Sequence, residues 1–168
     1  MPKKRLTLIH TSAVMIPVFT KLCNELLPDA ELFHLVDDSL LTDIMRYPQL
    51  LKTTARRVLG HIFSAEQAGA DLIMVTCSSL GPVAEIARHF VDVPVLRVDQ
   101  PMAQWAIQKG PRIGVVATLP STLNPTAELI VAQAQREGRK VQLIAKLCEG
   151  AFDAFISGDG ETHDRIVG

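Results

Sequence analysis

Short apolar runs and longer amphipathic stretches alternate along this 168-residue chain, and that alternation restricts the fold more than any other feature. Strand-like runs fall at 5–9, 31–36, 71–75, 94–98, 112–117 and 140–146. Helix-like stretches lie between them, near 15–27, 51–68, 83–90, 102–109 and 122–137. A helix that returns the chain to the same side of a sheet makes consecutive strands parallel, so the pattern predicts an α/β fold with open, mostly parallel sheets covered by helices. In such sheets ligands bind at the C-terminal ends of the strands. Gly69, Gly110 and Gly138 stand just past three of the helical stretches, where helix-ending glycines belong.

The alternation also carries an internal duplication. The opening segment Leu6-Thr7-Leu8-Ile9-His10-Thr11-Ser12 has the plan of a strand, a hydroxyl-bearing loop and a helix start. The segment from Arg112 through Ala117 to Thr118, Ser121 and Thr122 repeats it. Two pseudo-symmetric lobes follow as the expectation, 1–98 and 99–168, the second incomplete relative to the first. Residues 161–168 read as the start of a further helix with Thr162 as its N-cap.

Within the first lobe, Thr76-Cys77-Ser78-Ser79-Leu80-Gly81-Pro82 follows the apolar run Leu72-Ile73-Met74-Val75 and precedes a helix. Cys77 therefore falls at the C-terminal end of a buried strand. Pro82 suits a first helical position. A helix N-terminus offers unpaired N–H groups and a positive dipole, which favour a thiolate or a bound carboxylate. A free cysteine is often merely a small buried hydrophobe, but the surrounding hydroxyls and the strand-end location favour a catalytic thiol. Other cysteine chemistries lack their partners: no arginine occurs in the six residues after Cys77, and CxxC and GxSxG patterns are absent.

Thr11 and Ser12 after the first strand, and Thr118, Ser121 and Thr122 after the fifth, belong to the same kind of strand end as Thr76, Ser78 and Ser79. Their hydroxyls suit either helix capping or the binding of a small anion. No glycine-rich dinucleotide fingerprint or phosphate loop accompanies them, which points to a small ligand and to no nucleotide cofactor. His10 at the end of the first strand reads equally as an acid, base or ligand orienter and as a hydrogen-bonded structural residue. His34, His61 and His89 read as structural or surface residues. Asp37-Asp38 reads as a solvated loop or cap rather than a metal site. Cys23 reads as core and Cys148 as a packed thiol at a helix start.

The net charge of −1 gives no electrostatic case for nucleic acid or an anionic membrane as partner, and Trp105 and Tyr47 provide no stacking platform. Three cysteines without ligand spacing argue against a disulfide framework or a zinc site. With no bilayer-length apolar run and no signal-peptide pattern, the expectation is a soluble cytoplasmic protein.

In its residues, the chain resembles the aspartate/glutamate/hydantoin racemase superfamily. The resemblance runs over essentially the whole chain and is strongest at Val75-Thr76-Cys77-Ser78-Ser79-Leu80-Gly81 and at Gly114 through Thr122. It extends to Leu147-Cys148-Glu149-Gly150-Ala151-Phe152, to Gly158-Asp159 and to Thr162-His163-Asp164. The resemblance implies a cofactor-independent isomerase of two pseudo-symmetric lobes acting on a small carboxylate, with relatives that often pair as homodimers. It implies that Cys77 is the first-lobe catalytic cysteine. It further implies that His10, Thr11, Ser12, Ser78 and Ser79, with Thr118 and Ser121 of the second lobe, are substrate ligands. Thr76 and Thr122 join them as neighbours in the same loops. His10 and Ser12 depart from the acidic residue and glycine of glutamate-specific members. The second-lobe cysteine of the family would fall beyond Gly168, so the resemblance implies a chain that continues.

Three functions fit these residues. The first is a racemase or epimerase in which Cys77 exchanges a proton at the α-carbon of an amino acid or related carboxylate. The second is a single-cysteine decarboxylase or cis–trans isomerase of the same superfamily. The third is a non-catalytic protein that binds a small acid.

Overall fold

The computed structural model describes residues 3–47 and 49–168. The chain divides into two compact units, Met1–Val98 and Asp99–Gly168.

In the first unit, strands β1 (Arg5–His10), β2 (Glu31–Val36), β3 (Leu72–Val75) and β4 (Val95–Arg97) form one parallel sheet in the order β2-β1-β3-β4. Helices α1 (Met15–Leu26), α2 (Ser39–Arg46), α3 (Lys52–Gln67) and α4 (Gly81–Ala87) make the connections. Strand residues alternate between the two faces, and both faces of β1 are buried, as a central parallel strand requires. Leu6 and Leu8 face one way and pack with Cys23 and Phe19 of α1. Ile9 faces the other way, with Ile73, Val75 and Val95, against Leu40 and Ile44 of α2, Val58 and Ile62 of α3, and Val83, Ala84 and Ala87 of α4. Each fully buried Leu, Ile or Val there contributes roughly 1.5–3 kcal/mol of burial energy.

The strand order matters for function. From β1 the chain moves outward to β2 on one side, whereas from β3 it moves outward to β4 on the other. The order therefore reverses between β1 and β3, and α1 and α4 leave those strands on opposite faces. Ligand crevices in open α/β sheets form at this reversal, above the strand C-termini. The loops after His10 and after Val75 flank it.

In the second unit, α5 (Gln100–Lys109) leads into β5 (Arg112–Ala117), α6 (Pro120–Arg136) and β6 (Gln142–Leu147), with β5 and β6 parallel. Val115 packs with Ala103 and Ile107 of α5 and with Leu129, Ile130 and Ala134 of α6. The opposite sheet face leaves Val116 60% and Ile144 66% exposed. Helices α7 (Ala151–Ile156) and α8 (Gly160–Val167) follow, and Ala151 and Ala154 are buried.

Several local expectations are corrected. Helix α4 begins at Gly81 and ends at Ala87, because Ser78–Leu80 first form a 3₁₀ turn. Helix α6 begins at Pro120, so Ser121 and Thr122 lie in its first turn rather than in a loop. Strand β6 starts at Gln142, where pairing with Arg112 sets its register. Thr162 is not the cap of α8: its N–H donates to the Asp159 carboxylate at 3.0 Å. Gly69 and Gly138 take left-handed φ of 83° and 65° after their helices, but Gly110 is extended at φ 170°. Among the described residues no helix is long and apolar enough to cross a membrane.

Candidate functional site

Cys77 is a free, partly buried thiol two residues past the end of β3. Its backbone is still extended, at φ −113° and ψ 116°, and its carbonyl accepts the Leu80 N–H at 3.0 Å to close the 3₁₀ turn. The side chain packs against the cluster around Ile9, Val75 and Leu80. Cys23 and Cys148 are buried. Among the three cysteines Cys77 is thus the accessible one, and it stands at the strand-order reversal.

On the upstream side the loop is tied down by Thr76. The Thr76 backbone N–H and hydroxyl both donate to the Ile9 carbonyl, each at 3.0 Å, joining the ends of β1 and β3. The same hydroxyl oxygen lies 2.8 Å from Nδ1 of His10. His10 Nε2 lies 2.8 Å from Nδ1 of His34, whose Nε2 meets the Thr20 hydroxyl at 3.0 Å. Phe19 and His34 pack on the His10 ring, with centroids 5.4 and 5.1 Å away. His10 is completely buried. Burial, reinforced by the neighbouring His34, lowers its pKa to about 4, and burial also lowers that of His34. Both rings are therefore neutral near pH 7.

The remaining first-unit candidates divide by exposure. Thr11 and Ser79 are buried, whereas Ser12 and Ser78 are partly exposed. The capping role open to Thr11 and Ser12 is not taken: α1 is preceded by Val14 and has no side-chain cap. Thr11 and Ser12 follow β1, Thr76 through Ser79 follow β3, and pairing of Ile9 with Val75 sets those two strand ends side by side.

In the second unit, Thr118 follows β5, and Ser121 and Thr122 open α6, all three partly exposed. Helix α6 likewise has no side-chain cap at Leu119.

Two features escaped the sequence reading. Arg97 on β4 is buried, pairs with Glu85 of α4 at 3.2 Å, and lies so close to Gly81 that a Cβ there would overlap its guanidinium. A charged residue inside the short run Val95-Leu96-Arg97-Val98 was the available signal. The second feature is a polar cluster behind β2. Asp37 is neither solvated nor a cap: Arg57 and His61 of α3 reach its carboxylate at 2.7 and 2.8 Å, and Ser39 donates to it at 2.5 Å. Asp43 binds Arg57 at 3.2 Å and Thr54 at 2.8 Å. Burial opposes ionisation of Asp37, but the bonds from Ser39, His61 and Arg57 outweigh it and hold the carboxyl well below the usual range. Among the described residues no three metal-ligating side chains gather into a cluster.

A parallel sheet with its order reversal beside an accessible strand-end thiol defines the class: an open α/β protein. The Asp/Glu/Hydantoin racemase family matches residues 7–165, and the chain belongs to that family. Solved structures with the same fold include three glutamate racemases. The enzyme from Aquifex pyrophilus is 23% identical at a TM-score of 0.62, with 83% of this chain and 54% of that one covered. The enzyme from Francisella tularensis, solved in complex with D-glutamate, is 15% identical at a TM-score of 0.71, covering 94% and 58%. Isoform RacE1 from Bacillus anthracis is 16% identical at a TM-score of 0.71, covering 99% and 62%. This chain thus spans little more than half the length of these structures. A search of curated proteins with the sequence gives no match.

Proposed function

We propose that the protein is a cofactor-independent racemase or epimerase of an amino acid or related small carboxylate, with Cys77 as its acid–base group. The observation that carries this reading is the accessible Cys77 thiol at the sheet's order reversal, in a chain of the Asp/Glu/Hydantoin racemase family. The Cys77 thiolate takes the proton from the carbon α to the carboxylate: the C–H bond breaks, an S–H bond forms, and the electron pair delocalises into the carboxylate. That hydrogen is very weakly acidic, so the developing charge has to be met by donors already in place. Ser12 and Ser78, in the loops that follow β1 and β3, supply such donors. A proton returned to the opposite face inverts the centre; one returned by Cys77 itself restores it.

The test is chiral chromatography of a panel of L- and D-amino acids and related 2-substituted acids incubated with the full-length protein. Interconversion of one pair, abolished by Cys77→Ser, supports the proposal. Equal interconversion by the Cys77→Ser variant would end it.

A second reading draws on the burial of Cys23 and Cys148, at 9% and 4% exposure, which leaves Cys77 as the single accessible thiol of the three. One thiol suffices for a decarboxylase or a cis–trans isomerase. Product from a malonate- or maleate-like acid, without amino-acid interconversion, would select that reading.

A further inference from the structure

We infer that His10, backed by His34, positions the Cys77 loop through Thr76 and does not contact the ligand, an inference that rests on the role proposed for Cys77. The directions of the hydrogen bonds carry it. A threonine hydroxyl has one hydrogen, and Thr76 donates that hydrogen to the Ile9 carbonyl. Its bond with His10 must then be accepted, so Nδ1 of His10 carries a proton. A neutral ring has no second N–H, so His10 Nε2 accepts, and its partner Nδ1 of His34 must donate. His34 Nε2 accepts in turn from the Thr20 hydroxyl. Every bond from α1 through β2 and β1 to β3 therefore runs in one direction, ending at Ile9.

This chain fixes the residue immediately before Cys77. Thr76 is held to β1 by its N–H and hydroxyl and is steered by the His10 N–H, while Leu80 holds the Cys77 carbonyl from the other side. The position at which the Cys77 side chain leaves the sheet is thereby set from both flanks. Both ring nitrogens of the buried His10 are engaged, which leaves it no atom to offer a ligand. The titratable group facing His10 is His34 on β2; α1 presents Phe19, and the loop after β3 presents Thr76.

The test uses the alkylation rate of Cys77 by iodoacetamide as a function of pH, followed by peptide mass, which needs no turnover. Buried Cys23 and Cys148 report whether each variant is folded. His10→Ala and Thr76→Val should change the Cys77 rate roughly three- to tenfold, the effect of one lost hydrogen bond on loop geometry. His10→Asn, which keeps a donor near the Nδ1 position, should return it to within about twofold. A folded His10→Ala protein with the wild-type alkylation profile would overturn the inference. Should that variant not fold, nitrogen-15 NMR of the wild-type imidazoles decides. Protons on Nδ1 of both rings at neutral pH support the chain, and a proton on Nε2 of His10 contradicts it. In turnover, a lower kcat at unchanged KM for His10→Ala fits positioning, whereas a raised KM at unchanged kcat would make His10 a ligand and overturn the inference. An altered alkylation profile in a protein that interconverts no acid leaves the positioning intact and sinks the racemase reading alone.

Discussion

Acidification from pH 7 to pH 5 should destabilise the protein through His10. In the unfolded chain the imidazole takes up a proton near pH 6.5, but in the fold burial and the neighbouring His34 delay this to about pH 4. The unfolded state therefore binds more protons between those values. The stability held by the neutral ring is complete above about pH 6.5 and is lost as pH falls toward 4. For a single group with these constants the loss is about 2 kcal/mol at pH 5, approaching about 3 kcal/mol below pH 4. His34, also lowered by burial, adds in the same direction. The physical cost lies in the bonds: a charged His10 would have two donors, and Nε2 would face the Nδ1–H of His34. The assay is urea unfolding at pH 7 and pH 5, followed by circular dichroism, for wild type and His10→Asn. The variant should be less stable at pH 7, yet its loss between the two pH values should be about 2 kcal/mol smaller than that of wild type. An equal loss in both proteins, or a wild type that gains stability on acidification, would refute the reasoning.

Other perturbations have equally definite outcomes. Gly81→Ala puts a Cβ into the buried Arg97 guanidinium and should cost about 1–3 kcal/mol in urea unfolding, although φ at Gly81 is an ordinary −52°. Asp37→Asn removes the carboxylate that Arg57 and His61 share and should cost about 1–3 kcal/mol at pH 7. Because the Asp37 pKa is held down, its contribution is present above about pH 4 and fades as pH falls further, so the variant's acid unfolding curve should be flatter there. Gly150→Ala forces a left-handed φ of 79° on a residue with a side chain, and thermal unfolding should report a loss of about 1 kcal/mol.

The strands were legible as short apolar-rich runs set between turn residues and helical stretches. The runs 31–36 and 112–117 match β2 and β5 end for end, although both strands are only partly buried. Helix α2 was not legible. Its eight residues, Ser39–Arg46, are too few to display a sustained helical period, and it is held by Leu40 and Ile44 packing into the sheet's core. Helix α7 is shorter still and rests on Ala151 and Ala154. For the candidate site, the position of Cys77 at a strand end could be read from Leu72–Val75 and the polar residues that follow. The state of His10 could not. Its partners His34 and Thr76 are 24 and 66 residues away in sequence, and only the strand order brings them together. The Arg97–Gly81 contact depends in the same way on β4 lying beside β3.

The most direct measurement is proton NMR of the α-position of candidate amino acids in deuterated water, with the full-length protein and its Cys77→Ala variant. The account predicts that the wild-type protein replaces the α-hydrogen of at least one acid with deuterium, and that Cys77→Ala does not. Deuterium entry at the same rate with both proteins would contradict the role given to Cys77.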